Sequence, residues 1–195
     1  MKRKSTEVRR EQIKKAVLEI ISKEGLKNLS TRNLAKKVGI TEGAIFRHFK
    51  TKRDIILGIM KDVKSTLMVE LRQVALSEEN SDTKLFKFLC THVKYLIKNK
   101  GITILLFSEV AHMNDKELKG NLYNILSEQK ILVEKIVKEG IENGIWTKKV
   151  IPQDFAMIYM GIPISLNIEL ILNSDRIGVE NFCKRMFKLI LEILK

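Results

Sequence analysis

The stretch from Leu29 to Asp54, LSTRNLAKKVGITEGAIFRHFKTKRD, constrains this chain more than any other. Ser30 can N-cap a helix running to about Lys37, because its oxygen can accept a free amide proton of the first turn. Leu34, Ala35 and Val38 then share one face. Gly39 can take the positive φ that stops such a helix, and Ile40 anchors the turn. Thr41 can cap a second helix whose Ile45 and Phe49 face inward. Helix, tight glycine turn and helix is the plan of a helix-turn-helix. The second helix of such a unit enters a DNA major groove, so its outward residues must be small or able to bond base edges and phosphates. Thr41, Glu42, Gly43, Ala44, Phe46 and Arg47 fill those positions, with His48, Lys50, Lys52 and Arg53 just beyond.

Charge makes the same argument independently. Residues 1 to 54 hold 16 Lys and Arg against 6 Asp and Glu, a net +10 of the chain's +13, which leaves 20 against 17 for the remainder. Lysine-rich composition alone would not leave the larger part of the chain so near neutral. Cationic side chains gathered on one small unit favour a polyanion through counterion release, so double-stranded DNA is the expected partner.

From about Arg9 to Leu57 the chain resembles the TetR family of transcriptional regulators, on an apolar helix ending at Glu24-Gly25 followed by LSTRNLAKKVGITEGAIFRHFKTKRDII. The run AIFRHF followed by Lys52 is the specific part, and the resemblance covers about a quarter of the chain. It implies an all-α fold of about nine helices, with a three-helix DNA-binding domain at 1–51 and a helical effector-binding and dimerisation domain at 52–195. Thr41, Glu42, Gly43 and Ala44 are the expected base readers, Glu42 through a cytosine amino group. Ser30, Arg32, Arg47, His48 and Lys52 are expected mainly to hold phosphates, and Thr31 is expected at the same DNA interface. Family members commonly carry Tyr where this chain has Phe46, and Phe46 lacks the hydroxyl that would contact a phosphate.

The rest of the chain reads as helices. One over about 6–23 buries Ile13, Ala16, Val17, Ile20 and Ile21. A fourth over about 52–76 carries Ile55, Ile56, Ile59, Met60, Val63, Leu67, Leu71 and Val74 and forms the covalent link to the body. Further helices are expected at about 82–99, 102–112, 115–142, 153–173 and 177–194, with Asn114 and Glu117 as a capping box and Asn143-Gly144 as a stop. Residues 1 to 5 read as a basic arm.

Bulky or adaptable residues expected around the body's centre are Phe86, Leu89, His92, Phe107, Tyr123, Trp146, Met157, Tyr159 and Met160, each of which ordinary core packing would also explain. The resemblance implies that they enclose a small, lipophilic effector. The last two helices are apolar over broad faces, with Ile164, Leu166, Ile168, Phe182, Met186, Phe187 and Ile190 as the expected dimer interface. A two-fold dimer would read a palindrome at a spacing of roughly 34 Å.

An enzyme is the rival class. Glu109 and His112 form one Glu-x-x-His pair, but a di-iron site needs a second, and His92 has Leu89 in place of the carboxylate three residues before it. No GxSxG, HExxH, Walker A or dinucleotide glycine pattern is present, so no metal, cofactor or catalytic group is expected. Cys90 and Cys183 lack metal spacing and read as reduced core thiols. No signal-like segment and no uninterrupted apolar run of about 18 residues is present, so a cytoplasmic location without a membrane partner is expected.

Overall fold

The Ser30, Gly39 and Thr41 signals each close a helix end in the computed structural model, which describes residues 5–173 and 178–195. Ser30 Oγ accepts the Asn33 amide at 3.2 Å, opening α2 (Thr31–Val38). Gly39 ends it at φ 71°, in the left-handed region where a side chain would be strained. Thr41 Oγ1 accepts the Ala44 amide at 3.2 Å and opens α3 (Glu42–His48). These two helices pack on α1 (Thr6–Glu24), burying Ile13, Ala16, Val17, Ile20, Ile21, Leu34, Ala35, Ile45 and Phe49 as the periodicity predicts. The basic arm lies outside the described residues, apart from Ser5, whose side chain accepts the Val8 amide and caps α1.

The link to the body departs from expectation. In place of one helix over 52–76, the chain forms α4 (Lys52–Ser65) and α5 (Leu67–Ala75), broken at Thr66. Ser65 and Thr66 both return their hydroxyls to the Asp62 carbonyl, Thr66 at 2.5 Å, and such back-bonding bends helices. The start of α4 is set by a capping box that the sequence reading missed, in which Thr51 and Asp54 satisfy each other's amides at 3.2 and 3.0 Å.

The body comprises α5, α6 (Ser81–Lys98), α7 (Ile102–Met113), α8 (Lys116–Glu142), α9 (Pro152–Leu172) and α10 (Val179–Leu194). Among the described residues there is no strand, and counting α4 and α5 as one bent rod leaves the nine helices expected. The expected box at Asn114 is corrected: Asn114 adopts φ 50° and ends α7, while Asp115 caps α8 by accepting the Leu118 amide at 2.9 Å. Asn143 and Gly144, the latter at φ 69°, stop α8 as predicted.

Among the described residues α9 is long and apolar enough to cross a membrane, yet it packs on α6, α7 and α8 with Phe155, Ala156, Tyr159, Met160, Leu166 and Leu170 buried. Its opposite side, Met157, Ile158, Ile168 and Leu172, is exposed. Leu166 and Ile190 are therefore corrected as interface residues. Leu166 lies on the inward row of α9, Ile190 on that of α10 with Cys183 and Leu194, and each is 3% exposed.

Candidate nucleic-acid interface and ligand cavity

Packing of Ile45 and Phe49 against α1 turns the rest of α3 outward. Thr41, Glu42, Gly43, Phe46 and Arg47 are exposed and Ala44 is half-buried, so the glycine-alanine pair leaves the helix backbone open to close approach. Ser30 and Arg32 are exposed at the start of α2 and Thr31 is half-buried. The ring of Phe46 is 50% exposed, and together with Ser30, Thr31, Thr51 and Lys52 it borders a small apolar cleft between the head and α4.

Two of the expected phosphate ligands have other engagements. Lys52 Nζ is 2.8 Å from Glu109 Oε1, on α7 of the body. Glu109 is 4% exposed and its other oxygen has no partner, so Lys52 is its principal compensation. The His48 imidazole is lowered below its usual pKa, chiefly by burial and then by the positive charge of Arg9, Arg10 and Arg47. It is thus uncharged at neutral pH and has at most a hydrogen bond to offer. The sequence reading also missed Arg10, whose Nε donates to the His48 carbonyl at 3.0 Å while its guanidinium lies 5.1 Å from the Phe49 ring. A contact spanning 38 residues leaves no local signal, but a cation near the C-terminal end of α3 follows the helix dipole.

Further polar contacts tie the link to the body and the head to the link. Arg53 pairs with Asp115 at 2.8 Å and with Glu117, and the guanidinium holds the Asp115 carboxyl below its usual range. Lys64 donates to Asn121 at 2.6 Å, and Lys14 of α1 reaches Asp62 of α4 at 2.5 Å. Gly101 at φ 85° lets the start of α7 lie directly on α1, since a Cβ there would come within 3.1 Å of Ile21 and 3.2 Å of the Leu18 carbonyl.

A cavity opens between the α4–α5 link and α6, α7, α8 and α9, lined chiefly by Val63, Leu67, Leu96, Ile102, Leu106 and Ile125. Of the nine expected pocket residues, His92, Phe107 and Met160 line it. The other six are corrected. Phe86 packs edge-on against Phe187 of α10 at 5.2 Å. Leu89 and Tyr159 are fully buried core, Tyr159 edge-on to Phe88 at 5.8 Å. Trp146 is buried over Gly140 and donates to Asp82 at 2.9 Å. Tyr123 and Met157 are 69% and 61% exposed, because each falls off the inward row of its helix.

The polar residue that the sequence reading missed is Gln129, and its signal was available: it interrupts the apolar row Leu118, Leu122, Ile125, Leu132, Ile136 of α8. Gln129 Oε1 and His92 Nδ1 are both buried without partners. Burial alone pushes the His92 imidazole down to about 4, so it is neutral.

Ile164 borders this cavity, and Phe187 is engaged by Phe86, which leaves Ile168, Phe182 and Met186 of the expected interface set without such intramolecular roles. The alternative Glu109/His112 site does not assemble, since Glu109 is turned in towards Lys52 and His112 is exposed. Among the described residues no three His, Cys, Asp or Glu side chains cluster.

A family model for bacterial regulatory proteins of the tetR family matches residues 13–59, and one for the YsiA-like protein C-terminal region matches residues 62–193. The nucleoid occlusion factor SlmA of Actinobacillus pleuropneumoniae is 26% identical over 123 residues, 63% of this chain, and the chain spans 61% of that relative's length. The ketosteroid transcriptional regulator KstR2 of Mycobacterium tuberculosis matches with a TM-score of 0.83 at 13% identity, over 96% of this chain and 95% of that one. AibR, in complex with isovaleryl coenzyme A and operator DNA, matches at 0.77 and 14% identity, over 93% of this chain and 97% of that one. The two structural likenesses establish the fold, and the family matches, the second covering more than half of the chain, establish the lineage: this chain belongs to the tetR family of bacterial regulatory proteins and carries a YsiA-like C-terminal region.

Proposed function

We propose that the chain is a homodimeric, cytoplasmic transcriptional repressor that binds a palindromic operator and answers to a small lipophilic effector. The observation that carries the DNA reading is the outward face of α3, Thr41 to Arg47, exposed on a head that bears +10 of the chain's +13 charge. Thr41, Glu42, Gly43 and Ala44 read bases in this account. Ser30, Arg32 and Arg47 hold phosphates with Thr31 beside them at the interface, and Lys52 joins them when it leaves Glu109. The division into a DNA-binding unit at 1–51 and an effector and dimerisation unit at 52–195 belongs to the same proposal. The fold shared with AibR, which is known with both isovaleryl coenzyme A and operator DNA, supports a chain that takes both kinds of ligand.

The effector occupies the cavity beside His92 and Gln129, its apolar part against Leu96, Leu106 and Ile125. The dimer forms through the exposed side of α9 with Phe182 and Met186 of α10. Movement passes through α7, which contributes Ile102, Thr103, Leu106 and Phe107 to the cavity, rests on α1 at Gly101 and grips Lys52 through Glu109.

Selection from a pool of random duplexes in dilute salt tests the DNA reading. The purified protein is expected to enrich a two-fold symmetric sequence with half-sites about one helical turn apart. Failure to retain any duplex at roughly 50 mM salt overturns it.

A further inference from the structure

The two cysteines, 93 positions apart in sequence, meet where α6 packs on α10. The register of that contact is set at two successive turns. Phe86 stacks edge-on against Phe187 at 5.2 Å. One turn further along α6 and one turn back along α10, the Cys183 thiol lies beside Cys90, near enough for that sulfur to disfavour its ionisation. One turn beyond that, Glu180 is paired with Lys184 of its own helix at 2.7 Å, and the charge of Lys94 on α6 adds a smaller favourable influence on its carboxylate. The helices therefore run antiparallel, with 86 facing 187 and 90 facing 183, and side chains so opposed on packed helices can satisfy disulfide geometry. Both thiols are free, Cys183 is fully buried and Cys90 is half-buried.

We propose that Cys90 and Cys183 form a redox-active dithiol, closed by hydroperoxide into an intramolecular disulfide that fastens α6 to α10. Cys90 is the sulfur an oxidant meets first. Its thiolate attacks one peroxide oxygen, the O–O bond breaks, and Cys90 becomes a sulfenic acid while hydroxide leaves and takes up the proton that Cys90 had released, giving water. The Cys183 sulfur then attacks the Cys90 sulfur, the S–O bond breaks, and the departing hydroxide leaves as water with the Cys183 proton. Two thiols and one hydrogen peroxide give one disulfide and two waters, with two electrons passing to the peroxide.

Neighbouring groups shape both steps. Burial pushes the Cys183 thiol up to about 12, which keeps it protonated and makes it a slow nucleophile until the sulfenic acid forms beside it. Tyr159 of α9 lies close enough to feel both sulfurs, and its buried hydroxyl has no partner. That hydroxyl is a donor for the sulfenate oxygen. A pair of this kind stays reduced in a thiol-rich compartment and closes only under oxidant load. Because α6 also supplies His92, Tyr95 and Leu96 to the cavity, closure restricts the wall against which an effector must fit.

The test uses the full-length chain, freed of reductant and treated with hydrogen peroxide. The expected product, on denaturing mass spectrometry, is a single chain lighter by about 2 Da, in which one non-reduced peptide links positions 90 and 183, and which dithiothreitol restores. Its thermal midpoint should rise by about 5 °C or more, because the crosslink closes a long loop. In Cys183→Ala, checked for folding by circular dichroism, Cys90 should stop at a sulfenic acid that dimedone traps. The proposal is overturned if the wild-type chain acquires oxygen on Cys90 while Cys183 remains a free thiol, or forms only inter-chain disulfides. The wild-type peptide map decides the matter even if the alanine variant fails to fold.

Discussion

Replacing Glu109 by Gln asks whether Lys52 is shared between the body and the duplex. In the structure Lys52 Nζ sits 2.8 Å from Glu109 Oε1, and reaching a phosphate means leaving that oxygen. Glu109 is 4% exposed, and its second oxygen already lacks a partner, so departure strands a buried carboxylate. Stranding a fully buried charge costs about 3–5 kcal/mol, but the Lys52 side chain is 41% exposed and screened, which brings the figure to about 1–2 kcal/mol. The amide of the Glu109→Gln variant keeps the shape without the charge, so the cost of freeing Lys52 largely disappears. Duplex affinity should rise by roughly 5- to 30-fold. One added phosphate contact should steepen the slope of log K against log salt by about 0.9, worth roughly 3.5-fold between about 50 and 200 mM. Fluorescence anisotropy of a labelled duplex across that range measures both quantities. Lys52→Ala should then flatten the slope by a full step in the Glu109→Gln background and by less in the wild type. Unchanged affinity and slope in Glu109→Gln, or a full step lost by Lys52→Ala in the wild type, would refute the competition.

Phe46→Tyr restores a hydroxyl on a ring that is 50% exposed, and binding should tighten by about fivefold on unrelated duplexes alike, the worth of one hydrogen bond near 1 kcal/mol. A gain confined to one sequence would assign the ring to base reading instead. Ile168→Asp places a charge on the exposed apolar side of α9, and sedimentation should show dimers for the wild type and monomers for the variant; an intact variant dimer would move the interface elsewhere. His92 has its folded pKa depressed, to about 4 from 6.5, so the unfolded chain binds the proton first. Stability is therefore full above about pH 6.5 and falls as pH drops towards 4, by a total of about 3 kcal/mol, and melting curves of His92→Gln should lack that share of the acid loss.

The head was legible because its signals are local. Ser30, Gly39 and Thr41 act on amides within three residues, and the Ile13 to Ile21 row needs only helical period. The body was legible as helices but not as a site. Which row of a helix faces inward can be read from α8, where Tyr123 stands one step off the row through Leu122 and Ile125. Which inward residues border a void and which fill the core depends on partners far away in sequence. Tyr159 and Trp146 are as bulky as the residues that line the cavity, and only their neighbours Phe88, Gly140 and Asp82 reveal them as packing. The break at Thr66 was missed because apolar periodicity runs straight through it from Val63 to Leu67 to Leu71, while the cause lies in two hydroxyls competing for one carbonyl.

In the proposed mechanism the unpartnered atoms beside the cavity set what sort of molecule would move α7. His92 is neutral, so one ring nitrogen donates and the other accepts, and Gln129 Oε1 can only accept. A purely apolar molecule would fill the space and leave both groups unsatisfied, at a cost of about 1–3 kcal/mol each. A molecule with an apolar body and a hydroxyl or amide N–H placed against Gln129 recovers that energy, and only in the arrangement of α7 and α8 that lets it reach. Recovery restricted to one arrangement is differential affinity, and about 1–3 kcal/mol of it is the usual size of an allosteric coupling. The same helix carries Phe107 in the cavity wall and, two residues on, the Glu109 that restrains Lys52. In the proposed mechanism a displacement of α7 on effector binding would also shift Glu109 against Lys52, linking the cavity to the duplex through one helix.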